Sequence, residues 1–314
     1  MNIQQLEYII ALDTHRHFVK AAETCFVTQA TLSTMVKKLE EELGVKIFDR
    51  SKLPIIPTET GKKIIAQAKN ILQESHRLQE IVQEQKGKVT GELRIGIIPT
   101  LAPYLLPLFL NSFLKKYPEL KLKISELTTD EIIHKLERLE LDAGILATPL
   151  NDVRLYEESL FFEEFVVYAS SEEKLMRKKY VIASDIDINR LWLLEEGHCL
   201  RSQVINLCEL KNREKEMHQL SFEAGTIETL KKIVDINQGI TILPMLALKD
   251  IPDHKIDCIR YFKSPVPVRE IGIVTFRKHI KRNIIDALKS EILSTLPPEI
   301  KNQKKKDFIK TQLY

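Results

Sequence analysis

Two cysteines nine positions apart, Cys199 and Cys208, have the clearest capacity for chemistry in this sequence. Cys199 directly follows His198 and stands two positions before Arg201. A thiolate is stabilised by nearby cations and by free N–H groups at the start of a helix, and the thiolate is the nucleophilic form of cysteine. This arrangement therefore predicts a redox switch, with Cys199 as the exposed, reactive thiol and Cys208 as its buried partner.

The spacing of the apolar residues after Cys199 sets the geometry of this switch. Leu200, Val204 and Leu207 recur at helical spacing and predict one helix that begins near Cys199 and carries Cys208. Nine residues of helix separate the two Cα atoms by about 13 Å, whereas a disulfide needs them within about 7 Å. A disulfide between the two thiols would therefore require local refolding. The alternative is that both cysteines only fill space in a core.

The composition indicates a chain with two or three domains and excludes several classes of protein. The chain has 314 residues, of which 44% are hydrophobic, and a formal net charge of only +3. No apolar run approaches the length of a membrane span, and the first residues lack a signal-peptide pattern, so we expect a cytoplasmic protein with no membrane partner. Four cysteines do not form a disulfide scaffold. The sequence shows no metal-binding cluster, phosphate-binding loop or hydrolytic triad. We therefore expect that the protein binds no metal or cofactor and is not an enzyme.

The first sixty residues predict a helix-turn-helix, a motif that binds double-stranded DNA. A helix starting near Thr28, its predicted N-cap, places Leu32, Val36, Leu39 and Leu43 inward. Short polar side chains near the start of such a helix suit base edges and phosphates in the major groove, and lysines suit phosphates. The residues expected to contact DNA from this helix are Thr28, Gln29, Thr31, Ser33, Thr34, Lys37 and Lys38.

Two short apolar segments around a basic turn follow Gly44 and predict a wing, with Arg50 and Lys52 directed toward the DNA backbone. The ordered motifs of this region resemble the winged helix-turn-helix of LysR-type transcriptional regulators. They are Ala21-Ala22-Glu23, Thr28-Gln29-Ala30-Thr31-Leu32-Ser33, Leu39 to Phe48, and Thr58-Glu59-Thr60-Gly61. The bare alternative is a helical bundle with a solvated polar face.

Residues 61–90 predict a long linker helix followed by a hinge. Its apolar positions step alternately by four and three residues, which is typical of a seam between two paired helices. We expect a homodimer through this seam. The resemblance implies that two such dimers form a tetramer. The alternative is a helix that packs on its own domain. The seam positions are Ile64, Ala68, Ile71, Leu78 and Val82.

Residues 91–300 alternate strand and helix patterns in two series, which predicts two α/β lobes. Lobe I covers about 91–163 and 269–300, and lobe II covers about 164–268. This organisation resembles the periplasmic-binding-protein-like regulatory domain of the LysR family, so the expected fold class is α+β, with a winged helix-turn-helix at residues 1–60, the linker helix and the two-lobed domain. Residues 301–314 form a basic tail.

The sensing half further resembles the peroxide-sensing members of the LysR family, on Gly197-His198-Cys199-Leu200-Arg201 with Cys208 and on residues 98–107. The resemblance implies that Cys199 is the peroxidatic and Cys208 the resolving cysteine. It also implies that Thr100 and Thr129 bind the peroxide and that His198 and Arg201 steady the thiolate and the leaving oxygen. Each threonine is equally well explained as a helix cap. Family members carry an acidic residue where this chain has Ser202, so Arg201 needs another partner.

The expected function is a transcription activator that is switched by hydrogen peroxide. Its expected partners are an operator DNA, RNA polymerase, and thiol reductants of the glutaredoxin or thioredoxin type. Two alternatives stay open: a LysR-type regulator that responds to a small organic effector in the inter-lobe cleft, and a thiol peroxidase fused to a DNA-binding domain. The charged stretch 209–216 is expected to absorb the refolding.

Overall fold

A computed structural model describes residues 1–51, 54–85, 89–208, 224–249, 251–276, 281–301 and 309–310; for 73, 76, 77, 79–85, 309 and 310 it describes the backbone only. The chain divides into two compact units, Met1–Lys88 and Val89–Tyr314. Lys52, the side chain of Val82, the stretch 209–216 and most of the basic tail lie outside the described residues. None of the described helices is both long enough and apolar enough to span a bilayer.

Three helices form the body of the first unit: α1 (Ile3–His15), α2 (Phe18–Thr24) and α3 (Gln29–Leu43). Thr28 is the N-cap of α3 and accepts a hydrogen bond from the backbone N–H of Thr31, as the sequence predicted. Leu32, Val36 and Leu39 are fully buried, but Leu43 is 39% exposed. The inward placement of Leu43 was wrong because the helix ends there, at Gly44, whose left-handed conformation turns the chain away.

The predicted wing is a short antiparallel pair, β1 (Phe48–Asp49) and β2 (Ile56–Pro57). It joins the next helix through Thr58, whose hydroxyl donates to the Lys46 carbonyl and accepts the Gly61 N–H. A Cβ on Gly61 would lie 2.0 Å from the backbone oxygen of Ile47. Only glycine fits this contact, which explains why a glycine ends the motif Thr58-Glu59-Thr60-Gly61.

Helix α4 (Glu59–Gln85) is the predicted linker helix. Ala68 is buried in the core of the first unit, and Ile64 and Ile71 pack against that core. Leu78, further along the seam, is 68% exposed. The first half of the seam therefore packs on its own unit, as the alternative reading of the sequence had it, while its described second half is open.

The second unit begins with lobe I, in which a sheet is covered by helices. Parallel strands β3 (Gly91–Ile97), β4 (Leu120–Glu126) and β5 (Ala143–Thr148) lie in the order β4-β3-β5, and strand β10 (Pro267–Thr275) pairs antiparallel with β5. The helices of lobe I are α5 (Ala102–Lys116), α6 (Thr129–Glu137), α9 (Arg282–Thr295) and α10 (Pro298–Lys301). A short strand, β11 (Ile309–Lys310), pairs with β10.

One long strand, β6 (Tyr156–Ala169), connects the two lobes. Its first part, up to Glu164, pairs with β10, and its second part, from Phe165, pairs with β8 (Ile240–Pro244). Lobe II also contains β7 (Tyr180–Val181), β9 (Ile259–Phe262), α7 (Cys199–Leu207) and α8 (Ile227–Asn237). The mixed α/β architecture confirms the predicted fold class.

Candidate functional site

Cys199 is the first residue of helix α7, so its own backbone N–H and that of Leu200 belong to the first turn and lie near its sulfur. Gly197, with φ of +92°, turns the preceding chain so that it lies near Thr128, the N-cap of α6. The N-terminal ends of α6 and α7 therefore meet at the thiol. Cys199 is only 8% exposed, so its predicted exposure was wrong. It was wrong because α6 of lobe I covers the start of α7.

Two opposing effects act on the ionisation of Cys199. Burial raises the pKa of its thiol and is the dominant cause. The Arg269 guanidinium, the Thr129 hydroxyl and the N–H groups of Leu200 and Cys199 itself act in the opposite direction and favour the thiolate. Burial therefore favours the protonated thiol, and the groups that would stabilise its anion are already in place around it.

Arg269 is a fully buried arginine on strand β10. Its Nε donates to Glu163 Oε2 at 2.8 Å, its Nη1 donates to Thr100 Oγ1 at 3.0 Å, and its Nη2 donates to the Thr100 carbonyl at 3.2 Å. Glu163, also fully buried, accepts the Leu246 N–H at 2.7 Å through its second oxygen. This network fixes Thr100 and the guanidinium beside Cys199. Thr100 is therefore not a helix cap but an acceptor for Arg269.

Thr129 is the first residue of α6, and the cap of that helix is the preceding Thr128. The Thr129 hydroxyl lies close enough to the Cys199 sulfur to favour its thiolate. Among the described residues, however, it has no hydrogen-bond partner of standard geometry. The same holds for both amide atoms of the fully buried Gln203, one turn beyond Cys199 in α7. Buried polar atoms without partners indicate a place for a small polar molecule.

His198 and Arg201, the other two predicted site residues, frame Cys199 from its own chain segment. His198 is buried at the N-cap position of α7, and its Nε2 lies 3.6 Å from Glu195 Oε1. Arg201 Nη1 donates to the Leu194 carbonyl at 2.9 Å. The Leu194 carbonyl is thus a described partner of Arg201, whose neighbour Ser202 has no carboxylate. Both residues orient the start of α7.

Cys208 caps the far end of α7, and its backbone N–H donates to the Val204 carbonyl. It is partly buried against the core of the second unit, and burial raises the pKa of its thiol to about 12. One continuous helix separates the two thiols, as the sequence predicted, so both are free in this structure. Joining them requires α7 to unwind.

The residues predicted to bind DNA lie on one surface of the first unit. Thr28, Gln29, Thr31, Thr34, Lys37 and Lys38 are exposed on α3, and Ser33 is partly exposed. Arg50, in the wing, is held by a 2.9 Å ion pair with Glu40 and lies over the Phe18 ring. Among the described residues, no group of three histidine, cysteine, aspartate or glutamate side chains could hold a metal ion.

Two family profiles match this chain. Residues 3–62 match the bacterial regulatory helix-turn-helix protein, lysR family, and residues 86–296 match the LysR substrate binding domain. The chain belongs to the LysR family.

Among the curated proteins it resembles is the DNA-binding transcriptional dual regulator OxyR of Escherichia coli, 36% identical over 276 residues that cover 87% of this chain and 89% of the relative. Another is the transcriptional regulator EstR of Acinetobacter baylyi, 32% identical over 247 residues that cover 79% of this chain and 81% of that protein. The identity with both is spread over most of each chain.

Two solved structures of OxyR proteins are also similar to this chain. A full-length OxyR from Pseudomonas aeruginosa, with a cysteine replaced by aspartate, superposes with a TM-score of 0.75 at 33% identity and covers 93% of this chain and 97% of that one. A cysteine-to-serine variant of OxyR from Corynebacterium glutamicum, solved with bound hydrogen peroxide, gives a TM-score of 0.61 at 26% identity, with 93% and 91% of the two chains covered.

Sequence reasoning missed two residues of this LysR site, Arg269 and Glu163. A signal was present in the strand periodicity. Arg269 alternates with Ile271 and Ile273, and Glu163 alternates with Phe161 and Phe165, so each charge occupies a position on an otherwise apolar face. A charge at a buried strand position is rare unless it is paired, and the two together could have been predicted as a buried ion pair.

Proposed function

We propose that this chain is a LysR-type transcription activator that senses hydrogen peroxide through Cys199 and is switched by a disulfide between Cys199 and Cys208. The supporting observation is the buried Cys199 thiol at the start of α7, beside Arg269 and the unpartnered hydroxyl of Thr129. One relative over most of the chain is the OxyR of Escherichia coli, and one similar structure, an OxyR variant, contains hydrogen peroxide. The buried thiol and the unpartnered polar atoms beside it suit a small molecule that forms hydrogen bonds.

The first step is attack of Cys199 sulfur on one peroxide oxygen. A sulfur–oxygen bond forms, the O–O bond breaks, and the thiol proton leaves on the departing hydroxide, which becomes water. The cysteine is oxidised to sulfenic acid. Thr129 donates to the peroxide from α6, while Arg269 and Thr100 stabilise the charge that develops on the leaving oxygen. His198 and Arg201 keep the start of α7 in position.

In the second step, the Cys208 sulfur attacks the sulfenic sulfur of Cys199, a disulfide forms and a second water leaves. Two thiols and one peroxide thus give one disulfide and two waters. Because about nine residues of helix separate the thiols, α7 has to unwind before they meet. This unwinding converts oxidation into a conformational change. Return to the reduced state requires two further thiols, which points to reductants of the glutaredoxin or thioredoxin type.

The winged helix-turn-helix at residues 1–60 is the proposed DNA-binding domain. It would bind operator DNA through the exposed face of α3 and through the wing residues Arg50 and Lys52. Residues 61–90 form the proposed dimerisation helix and hinge, and residues 91–300 the sensing domain with its two lobes. A dimer places two winged helix-turn-helix domains on a two-fold related DNA site. Pairing of dimers into a tetramer, contact with RNA polymerase and a cytoplasmic location are parts of the same proposal.

The test combines mass spectrometry and footprinting on the reduced full-length protein after one equivalent of peroxide. Trypsin cleaves after Arg201, so Cys199 and Cys208 fall on separate peptides, 191–201 and 202–211, and a disulfide joins them. We expect the linked pair together with an altered operator footprint. Cys208→Ser should stop at the sulfenic acid on Cys199, and Cys258→Ser, a matched control, should behave as the parent does.

Other outcomes contradict the proposal. If Cys199→Ser responds to peroxide as the parent does, or if the disulfide forms without a change of footprint, the switch does not exist. Induction that depends on an organic compound and not on Cys199 would indicate an effector-binding regulator. Repeated turnover of peroxide with a thiol reductant in the absence of DNA would indicate an enzyme.

A further inference from the structure

Glu163 lies where the two lobes share a strand and is fully buried. It stands on β6 just before the strand changes its partner from β10 to β8. One carboxylate oxygen accepts the Leu246 N–H in lobe II, and the other accepts from Arg269 on β10. In the described contacts this carboxylate touches Arg269 but neither Thr129 nor Thr100, so it acts on the proposed chemistry only through Arg269.

The charges around Cys199 explain what Glu163 does. Arg269, on β10, supplies the favourable positive charge, and Glu163, on β6, supplies a full negative charge in contact with it at 2.8 Å. Thr129 and Thr100 contribute only neutral hydroxyl groups. The segment before α7 contributes His198, which lies beside Glu195. Helix α7 itself contributes Arg201, whose guanidinium donates to the Leu194 carbonyl. The guanidinium thus contacts the Glu163 carboxylate and also acts on the Cys199 thiolate when that anion forms.

One guanidinium cannot fully compensate two anions, so formation of the Cys199 thiolate beside the Glu163 carboxylate is unfavourable. When Cys199 is protonated, the buried pair of Arg269 and Glu163 is neutral; when Cys199 ionises, the same enclosed group has a net charge of −1. An uncompensated buried charge is unfavourable because water is excluded. Burial is the main cause that raises the pKa of the Cys199 thiol, and the Arg269 guanidinium offsets it only in part.

We propose that Glu163 is a positioning residue that restrains Cys199 by neutralising Arg269, and that it thereby makes the thiol selective for a small oxidant that forms hydrogen bonds in the site. A protonated thiol reacts slowly with general electrophiles. Hydrogen peroxide differs from them because its leaving hydroxide takes up the thiol proton within the site. This inference rests on the proposed function for its selectivity, but its electrostatic part concerns the thiol alone.

The experiment measures alkylation of Cys199 by iodoacetamide in reduced full-length protein between pH 6 and pH 10, read on peptide 191–201. No peroxide is present, so the result does not depend on whether the protein senses peroxide. Glu163→Gln should lower the midpoint of the pH profile by about one unit or more and raise the rate at pH 7 about tenfold, since one pKa unit is a factor of ten in thiolate. The rate with peroxide relative to iodoacetamide should fall by at least about the same factor.

Two variants separate charge from structure. Glu163→Asp keeps the negative charge and should restore a midpoint near that of the parent. Glu164→Gln removes the neighbouring carboxylate of the same strand, which alternation places on the opposite face, and should leave the profile unchanged. A structural role alone would expose both thiols, so alkylation of Cys199 and of Cys208 would rise at every pH while the midpoint stayed in place. That result would overturn the proposal, as would a midpoint that rises in Glu163→Gln.

A double variant covers the case in which Glu163→Gln does not fold. Glu163→Gln combined with Arg269→Gln replaces the ion pair by two neutral amides of similar size, an exchange that buried pairs often tolerate. If Glu163 cancels the charge of Arg269, loss of both should leave the midpoint of Cys199 within about half a unit of the parent. A rise of more than a full unit would mean that Arg269 acts on the thiol unopposed, and the proposal would be wrong.

Discussion

The guanidinium of Arg269 donates to both the hydroxyl and the backbone carbonyl of Thr100, and this pair of hydrogen bonds holds Thr100 and Arg269 together in the Cys199 site. Thr100→Val keeps the shape of the side chain but leaves one guanidinium N–H without an acceptor. A buried donor without its partner costs about 1–3 kcal/mol. We therefore expect a loss of stability of that order in urea unfolding, followed through Trp192, the single tryptophan of the chain.

The same substitution should slow the oxidation of Cys199 by peroxide about tenfold or more, because Arg269 is then no longer held in place. Thr100→Ser retains the hydroxyl and should keep both the stability and the rate close to those of the parent. A valine variant that is as stable and as reactive as the serine variant would show that this hydrogen bond is dispensable.

Cys208 gives a prediction about pH. Burial raises the pKa of its thiol to about 12, well above the value of about 8.5 for an exposed cysteine. The unfolded chain therefore loses this proton first as the pH rises, so the stability from the buried thiol is complete below about pH 8.5 and is lost between there and about pH 12. Above pH 9 the reduced parent should lose up to about 1.4 kcal/mol more per pH unit than Cys208→Ser. Urea unfolding followed through Trp192 at several pH values measures the slope, and equal slopes for the parent and Cys208→Ser would contradict the burial.

The sequence predicted most elements of the fold because its periodic patterns are local. The alternation from Gly91 and the helical spacing from Ile227 both correspond to observed elements. Strand β6 spans Tyr156–Ala169, but only its apolar run Phe165–Tyr168 has a clear strand pattern in the sequence. Its first part carries Glu157, Glu158, Glu163 and Glu164, which hide a strand pattern. Only the pairing with β10, more than one hundred residues away in the chain, shows that this charged stretch is part of the sheet.

The candidate site was predictable where chemistry depends on neighbours in the chain and not where it depends on packing. His198, Cys199 and Arg201 are adjacent in sequence, so they were identified together. Arg269 reaches Cys199 only through the fold, and the burial of Cys199 results from a helix of the other lobe. Periodicity can mark a residue as inward-facing, but it cannot say which element covers it, which is why Cys199 was expected to be exposed.

Tyr104 and Glu228 form a hydrogen bond between the two lobes. The Tyr104 hydroxyl, on α5, donates to Glu228 Oε1 on α8 at 2.8 Å, and Lys231 pairs with the same carboxylate at 2.6 Å. Tyr104→Phe should lower the free energy of unfolding reported by Trp192 by about 1 kcal/mol, since one hydrogen bond to a partly exposed carboxylate is lost. Tyr156→Phe, at a side chain that is 46% exposed, serves as the control and should have no effect. Equal stability of both variants would contradict a role of this contact.

Gly61 should be intolerant of substitution because its neighbour is a backbone atom. A Cβ at this position meets the Ile47 carbonyl oxygen at 2.0 Å, and only a shift of the wing or of α4 can relieve the clash. Gly61→Ala should therefore destabilise the first unit by about 2 kcal/mol or more, on the scale of overpacking, and weaken operator binding. Circular dichroism and a DNA-binding titration measure the two effects. Lys63→Ala, two residues on at an exposed position, should leave both unchanged.

Leu78 tests the dimer seam. It is 68% exposed on α4, whereas Ala68 is already buried in the core of its own unit. If two copies pair along the second half of this helix, Leu78→Glu places a charge in an apolar seam and should weaken the dimer about tenfold or more. Sedimentation equilibrium of the reduced protein measures the change, and Glu74→Gln, exposed on the same helix, is the control. Because Leu78 is solvated in the isolated chain, the variant should keep the helix content and thermal stability of the first unit, and a dimer of unchanged strength would place the subunit contact elsewhere.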